Sequence, residues 1–256
     1  MRYVAITMLV AVLAGFAAAN QASVRGDMAT VYIQADDANI RVAYKDGNTF
    51  FSAPIGSEYT ISIRNNTGRR ILAVPTVDGL NVIDRNKGDW GGTGYVIAPH
   101  GSVEIPGFRR SDQFQYVERF TFNEARFSLA KRIGDVRNVG VIGVALFKEY
   151  VPPPPEPVVH NYDAYPQSSR YEESANESRM KCETYSRAGT EAGRTVHDPV
   201  RRVSFQRASN NPEEILALYY DKEENLISAG ILPPPYNPPP RGFLSPFPSN
   251  YAKGID

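Results

Sequence analysis

The chain of 256 residues holds one cysteine, Cys182, so no disulfide can form within it and its order must come from packed apolar side chains. Charge of one sign is missing as well: 28 basic residues face 28 acidic ones, and no summed field draws the protein toward a polyanion. A nucleic-acid surface raises the basicity of the domain that carries it. The pairs Arg69-Arg70, Arg109-Arg110 and Arg201-Arg202 therefore read as solvated strand ends, and nucleic acid is excluded as a partner. Histidine occurs three times, at His100, His160 and His197, never at a spacing that pairs two imidazoles on one metal ion. The one extended apolar run, Val4 to Phe16, falls short of the roughly 20 residues that a membrane-crossing helix needs.

That run has a different meaning. Arg2 gives it a positive start, and Ala17-Ala18-Ala19 supplies the small-x-small pattern of a signal peptidase site, so residues 1–19 read as a secretory signal peptide. The mature chain is expected to begin near Asn20, without a transmembrane span and, having no cysteine at the junction, without a lipid anchor. The expected destination is the periplasm, the cell surface or the extracellular space. A single thiol there could bridge two copies through Cys182.

What is abundant is alternation. Over residues 28–150 the side chains switch between apolar and polar with a period of two, and turn signals recur every eight to twelve residues, as in an antiparallel all-β domain. Ile40, Val42 and Tyr44 alternate ahead of the turn Lys45-Asp46-Gly47-Asn48, and Tyr59, Ile61 and Ile63 alternate ahead of Asn65-Asn66-Thr67-Gly68, which predicts two hairpins. A strand over Arg70 to Val74 is expected to close at Pro75, with a turn at Val77-Asp78-Gly79-Leu80 and another at Pro99-His100-Gly101. Ala125 to Ile133 suits one or two helical turns. Val139 to Phe147, apolar apart from Gly140 and Gly143, predicts a central strand covered on both faces. The fold class is mainly β: an antiparallel sandwich of immunoglobulin-like architecture, without the Cys-Trp-Cys signature of a true immunoglobulin domain.

The remainder divides by composition. Prolines cluster at Pro152 to Pro157 and again at Pro233 to Pro248. Residues 151–200 read as a Pro-rich and polar linker. Residues 201–232 predict a small α+β unit, with a strand at Val203 to Phe205, a second at Ile215 to Tyr220, and a helix capped by Asp221 that ends at Gly230. Residues 233–256 form an extended tail in which Tyr236, Phe243, Phe247 and Tyr251 alternate with prolines, a composition that can lie along a groove or a sheet edge.

Catalytic chemistry finds no foothold. No Gly-x-Ser-x-Gly elbow frames Ser57 or Ser102. The adjacent carboxylates Asp36-Asp37, Glu172-Glu173, Glu213-Glu214 and Glu223-Glu224 point apart on either a strand or a helix, so none is a ready acid–base couple. The run Gly88-Asp89-Trp90-Gly91-Gly92-Thr93-Gly94-Tyr95 lacks the Lys-Ser/Thr ending of a phosphate loop and leads into a strand instead of a helix. It does hold the only tryptophan. Trp90, in a loop that reads as flexible, with Tyr95 nearby, can stack on a sugar face or anchor a protein contact, or it can fold back over the sandwich edge.

Two groups of segments carry a resemblance: NNTGRRILAVPTVDGLNVI (65–83) with NVGVIGVALFK (138–148), and PEEILALYYDKEENLISAG (212–230). They resemble parts of a group of exported bacterial proteins in which a β-rich domain precedes a short mixed segment. The likeness implies that architecture and lends no activity, cofactor or catalytic residue. The expectation is thus a non-enzymatic binding or assembly protein of the cell envelope or surface, needing no cofactor or metal. It would meet protein partners or further copies of itself through the sandwich and the tail. The alternative is a carbohydrate or small-ligand module built on Trp90 and Tyr95.

Overall fold

A computed structural model describes residues 21–110, 114–134, 136–152 and 187–235. The signal peptide, Cys182, most of the Pro-rich linker, and Tyr236, Phe243, Phe247 and Tyr251 of the tail lie outside the described residues. The first half supplies β1 (Gln21–Arg25), β2 (Ala29–Ala35), β3 (Val42–Lys45), β4 (Asn48–Ser52), β5 (Glu58–Asn65), β6 (Ile71–Val77), β7 (Leu80–Asn81) and β8 (Tyr95–Ile97). Then follow β9 (Ser102–Ile105), β10 (Gly107–Arg109), β11 (Tyr116–Glu124), a 3-10 turn (Ala125–Phe127), α1 (Leu129–Ile133) and β12 (Val141–Lys148). After the undescribed stretch come β13 (Ala188–His197), β14 (Glu214–Asp221) and α2 (Glu223–Ser228).

These strands make a sandwich of two seven-stranded sheets. The first runs β1-β2-β5-β11-β10, with β13 also on β11 and β9 also on β5; the second runs β3-β4-β14-β12-β6-β7, with β8 also on β6. Every named pairing is antiparallel except β14 with β4, which is parallel. Alternation decides the inner faces: Tyr59, Ile61 and Ile63 of β5 and Val31, Ile33 and Ala35 of β2 are fully buried. Rings close the gap between the layers. Tyr59 and Phe122 of the first sheet stack with centroids 4.1 Å apart, Phe51 of the second meets Phe122 edge-on at 6.0 Å, and Phe51 stacks on Tyr220 at 5.5 Å. Each such ring, fully buried, contributes roughly 1.5–3 kcal/mol, which is how a body without disulfides holds together.

The Asp46-Gly47 hairpin and the Asp78-Gly79 turn form as expected, with positive φ at all four residues, and β12 lies between β14 and β6. Other expectations need correction. Asn65-Asn66-Thr67-Gly68 is not a hairpin: β5 belongs to the first sheet and β6 to the second. The Pro99-His100-Gly101 turn crosses back the same way, from β8 to β9. Asn65 fixes both crossings. Its buried amide donates to the carbonyls of Arg69 (2.7 Å) and Ala98 (2.9 Å), and its Oδ1 accepts from the backbone N–H of Thr67 (2.8 Å).

Pro75 does not close β6, which runs on to Val77. The Pro75 carbonyl accepts from the Val82 N–H at 3.2 Å, so the N–H that proline lacks would point to that same side and not toward β12.

The boundaries 28–150, 151–200 and 201–232 do not survive either, since the two sheets draw on residues from Gln21 to Asp221. The end of the expected linker is the long strand β13, paired along β11. β14 is no docked satellite but an interior strand between β4 and β12. Val203 and Phe205 form no strand; the chain there makes only an isolated bridge between Glu149 and Arg207. The N-cap of α2 is Lys222, without a side-chain cap, and Asp221 is spent elsewhere: its Oδ1 accepts from the N–H groups of Ala188 (2.7 Å) and Lys222 (2.7 Å) and from the Asn225 amide (3.0 Å). Gly230 takes the left-handed φ of 63° expected of it.

Candidate binding face

The two outer faces of the sandwich differ in chemistry. On the first sheet Arg119 donates to Glu58 (2.9 Å) and pairs with Asp36, while Arg194 donates to Glu58 (2.8 Å). These hydrogen bonds, that of Arg194 foremost, hold the Glu58 carboxyl below its ordinary range against the opposing effect of its partial burial.

The second sheet presents apolar groups to the outside. Phe50 lies in register with Tyr219, and Tyr219 with Val141; Ala217, Gly143 and Thr76 form the next row, and Ile215, Ala145 and Val74 the row beyond. The rings of Phe50 and Tyr219 are 5.3 Å apart, and Ile215 is 54 % exposed. One end of this face is covered. Phe205 packs on Leu72, Val74, Ala145 and Phe147, and the Arg207 guanidinium sits 4.3 Å from the Phe147 ring centre.

Arg207 also builds the loop that carries Trp90. Its two terminal nitrogens donate to the carbonyls of Trp90 (2.6 Å) and Gly92 (2.7 Å). Asn81 donates to the Thr93 carbonyl (2.9 Å), and the Gly88 N–H to the Gly79 carbonyl (2.7 Å). The loop is clamped where its composition predicts flexibility, and its glycines serve close approach. A Cβ at Gly94 would lie 2.3 Å from the Ala73 carbonyl oxygen, and one at Gly92 would lie 2.8 Å from the Asn81 amide nitrogen. Partial burial makes the Arg207 guanidinium easier to deprotonate than usual, an effect that nearby Asp89 opposes.

Between this loop and the sheet lies a cleft of about 230 Å³. Trp90, 50 % exposed, lines it together with Lys87, Asp89, Thr76, Asn138 and Ile215, over a floor at Gly143. Tyr95 is not part of it. The Tyr95 hydroxyl accepts from Arg109 (3.1 Å), which is buried and paired with Asp198 (2.6 Å), and burial raises the Tyr95 pKa. The two aromatics that sequence proximity groups together are thus assigned to different tasks.

A polar chain runs through the interior. Asp78, 2 % exposed, accepts from the Tyr220 hydroxyl (2.6 Å) and from the N–H groups of Gly140 (2.8 Å) and Thr190 (2.7 Å). The Thr190 hydroxyl shares hydrogen bonds with Tyr220 (2.7 Å) and Tyr59 (2.8 Å). Burial raises the Asp78 pKa to about 6, against the opposing pull of these donors, and pushes both tyrosines well above their ordinary value. A perturbed carboxylate is a mark of function when it faces a cleft. Asp78 faces packed backbone, so it holds the two sheets together. The sequence shows only its turn; no pattern marks a turn aspartate as buried.

Glu172-Glu173 lies outside the described residues, and members of two other acidic pairs have structural partners: Glu214 accepts from the N–H groups of Asp27 (2.7 Å) and Met28 (2.8 Å), and Glu223 pairs with Arg41 (2.6 Å). Among the described residues no group of three His, Cys, Asp or Glu side chains is placed to hold a metal ion, and no helix is long and apolar enough to cross a membrane. Comparison with protein-family models, curated proteins and solved structures finds no match.

Proposed function

We propose that this chain is an exported, non-enzymatic binding or assembly protein of the bacterial cell envelope or surface, and that its protein contacts are made through the outer face of the second sheet. The observation that carries this reading is the contrast between the two faces. An antiparallel sheet with one face on the core normally turns polar side chains to water. The first sheet does so with Glu58 and Arg194, whereas the second offers Phe50, Tyr219, Ala217 and Ile215. Apolar side chains gathered on a solvent face mark a contact surface. The partner is accordingly a protein segment with apolar or aromatic side chains.

Export rests on the leader read over residues 1–19, and the Pro/aromatic segment 233–256 is a second contact element in this proposal. Pro233, its first residue, is tied at its carbonyl to Arg41 (2.7 Å), near the Phe50 end of the face.

The test is crosslinking in intact cells followed by fractionation, comparing the natural chain with Tyr219→Ser and Ile215→Ser on the apolar face and Gln34→Ala on the other sheet. The first two variants should lose the adducts and the third keep them. An identical adduct pattern in all three sinks the assignment of the face, and intact protein confined to the cytosol sinks export.

A further inference from the structure

We infer that the cleft beside Trp90 is a binding subsite for a single neutral sugar ring, a hexopyranoside. This does not depend on the protein-contact reading, although the cleft opens on the same side of the molecule.

The platform is Trp90. Its indole is half exposed on a loop that five backbone-directed hydrogen bonds from Arg207, Asn81, Gly88 and Gly92 already hold in place. An aromatic fixed before the ligand arrives costs little ordering on binding. The indole is broad and apolar, matched to the C–H face of a pyranose, and stacking contributes beyond the area it covers.

The floor opposite is shallow and uncharged. Gly143 contributes no side chain to it, and Thr76 Oγ1 stands beside it, 3.0 Å from where a Cβ would lie. Ile215 and Ala145 line the same floor. A flat ligand, apolar on two faces and polar around its rim, fits between such walls.

The rim supplies both signs. Asp89 spends Oδ1 on the Gly91 N–H (3.1 Å), and Oδ2 remains to accept from a hydroxyl. Lys87 and the Asn138 amide stand exposed on the lining as donors. One acid and one base cancel, so neither a strongly anionic nor a strongly cationic ligand is favoured, whereas vicinal hydroxyls both donate and accept. At about 230 Å³ the cleft is smaller than drug-sized pockets, which begin near 300 Å³, and that suits one ring.

Trp90 is the only tryptophan, so its fluorescence in the full chain reports on the cleft directly. Titration with glucose, galactose and N-acetylglucosamine, and with inorganic phosphate as the anionic control, should give a saturable change for at least one sugar and none for phosphate. Calorimetry with that sugar should show roughly tenfold weaker binding for Trp90→Ala, as expected for a lost stacking contact. Asn138→Ala should bind measurably more weakly as well, and an unchanged melting temperature for both variants certifies the fold. No saturable response to any of the sugars, equal response to phosphate, or sugar binding that survives Trp90→Ala would each overturn the assignment. The two proposals fail separately: Tyr219→Ser should lose protein adducts and keep the sugar, and Trp90→Ala the reverse.

Discussion

The hydroxyl of Tyr220 donates to Asp78 Oδ1 at 2.6 Å, and through Thr190 the same hydroxyl is connected to Tyr59 in the opposite sheet. A buried acid therefore sits at the head of a polar chain that spans the sandwich. Apolar packing sets how much stability there is; this chain sets how it varies with pH.

The Asp78 carboxyl has a pKa near 3.8 when free in water and about 6 in the folded protein, so between those values the fold holds a proton that the unfolded chain has released. The stabilisation from holding it is complete below about pH 4 and is lost as the pH rises through 6, at about 1.4 kcal/mol for each tenfold difference in proton affinity between the folded and unfolded chain. Glu58 works in the opposite sense, its lowered pKa giving stability that is lost on acidification. Urea midpoints of the natural chain and of Asp78→Asn at pH 4.5, 5.5 and 7 separate the two. The difference between the proteins should change across this window; a constant difference refutes the role of Asp78.

The members of the chain should not be equal. Tyr220→Phe strips the buried carboxylate of a donor and should cost about 2–3 kcal/mol, whereas Tyr59→Phe leaves Thr190 its bond to Tyr220 and should cost about 1 kcal/mol. Chemical denaturation of the two variants at pH 7 gives the order, and equal losses would mean that Asp78 does not rely on Tyr220.

Arg207→Ala removes the two donors that hold the Trp90 loop. Acrylamide should then quench the indole more efficiently, while Arg70→Ala, which breaks only the exposed pair with Glu149, should leave quenching unchanged. Equal quenching in the natural chain and Arg207→Ala would show that Arg207 does not restrain the loop.

Gly189→Ala tests why β13 packs where it does. The added methyl would lie 2.8 Å from Ser128 Cβ and 3.1 Å from the Ala125 backbone, a clash that should cost about 1–3 kcal/mol in thermal or urea unfolding. Gly56→Ala has open space around it and should lose only the roughly 1 kcal/mol that its positive φ entails.

The strands read from the sequence are those with a clear apolar pattern: the alternating β5 and the hairpin around Asp46-Gly47, and the apolar runs that form β6, β12 and β14. A turn signal states that the chain reverses and is silent on whether it returns to the same layer, which is why the crossings at Asn65 and at Pro99 are not legible. β13 escapes because Ala-Gly-Thr-Glu-Ala-Gly has no aliphatic alternation; it is held by backbone proximity at Gly189 and Gly193. Trp90 is legible as a lone large ring among glycines, but Tyr95 is not separable from it, since only the fold shows its hydroxyl committed to Arg109.

The insertion of β14 between β4 and β12 makes synthesis order matter. Residues 214–221 complete the middle of a layer whose other members were made long before, and β4 and β12 have no neighbour in common until they arrive. Until residues 214–221 are available, β4 and β12 each keep an unsatisfied row of peptide groups on the side that β14 will occupy. The second layer becomes continuous only when β14 takes its place.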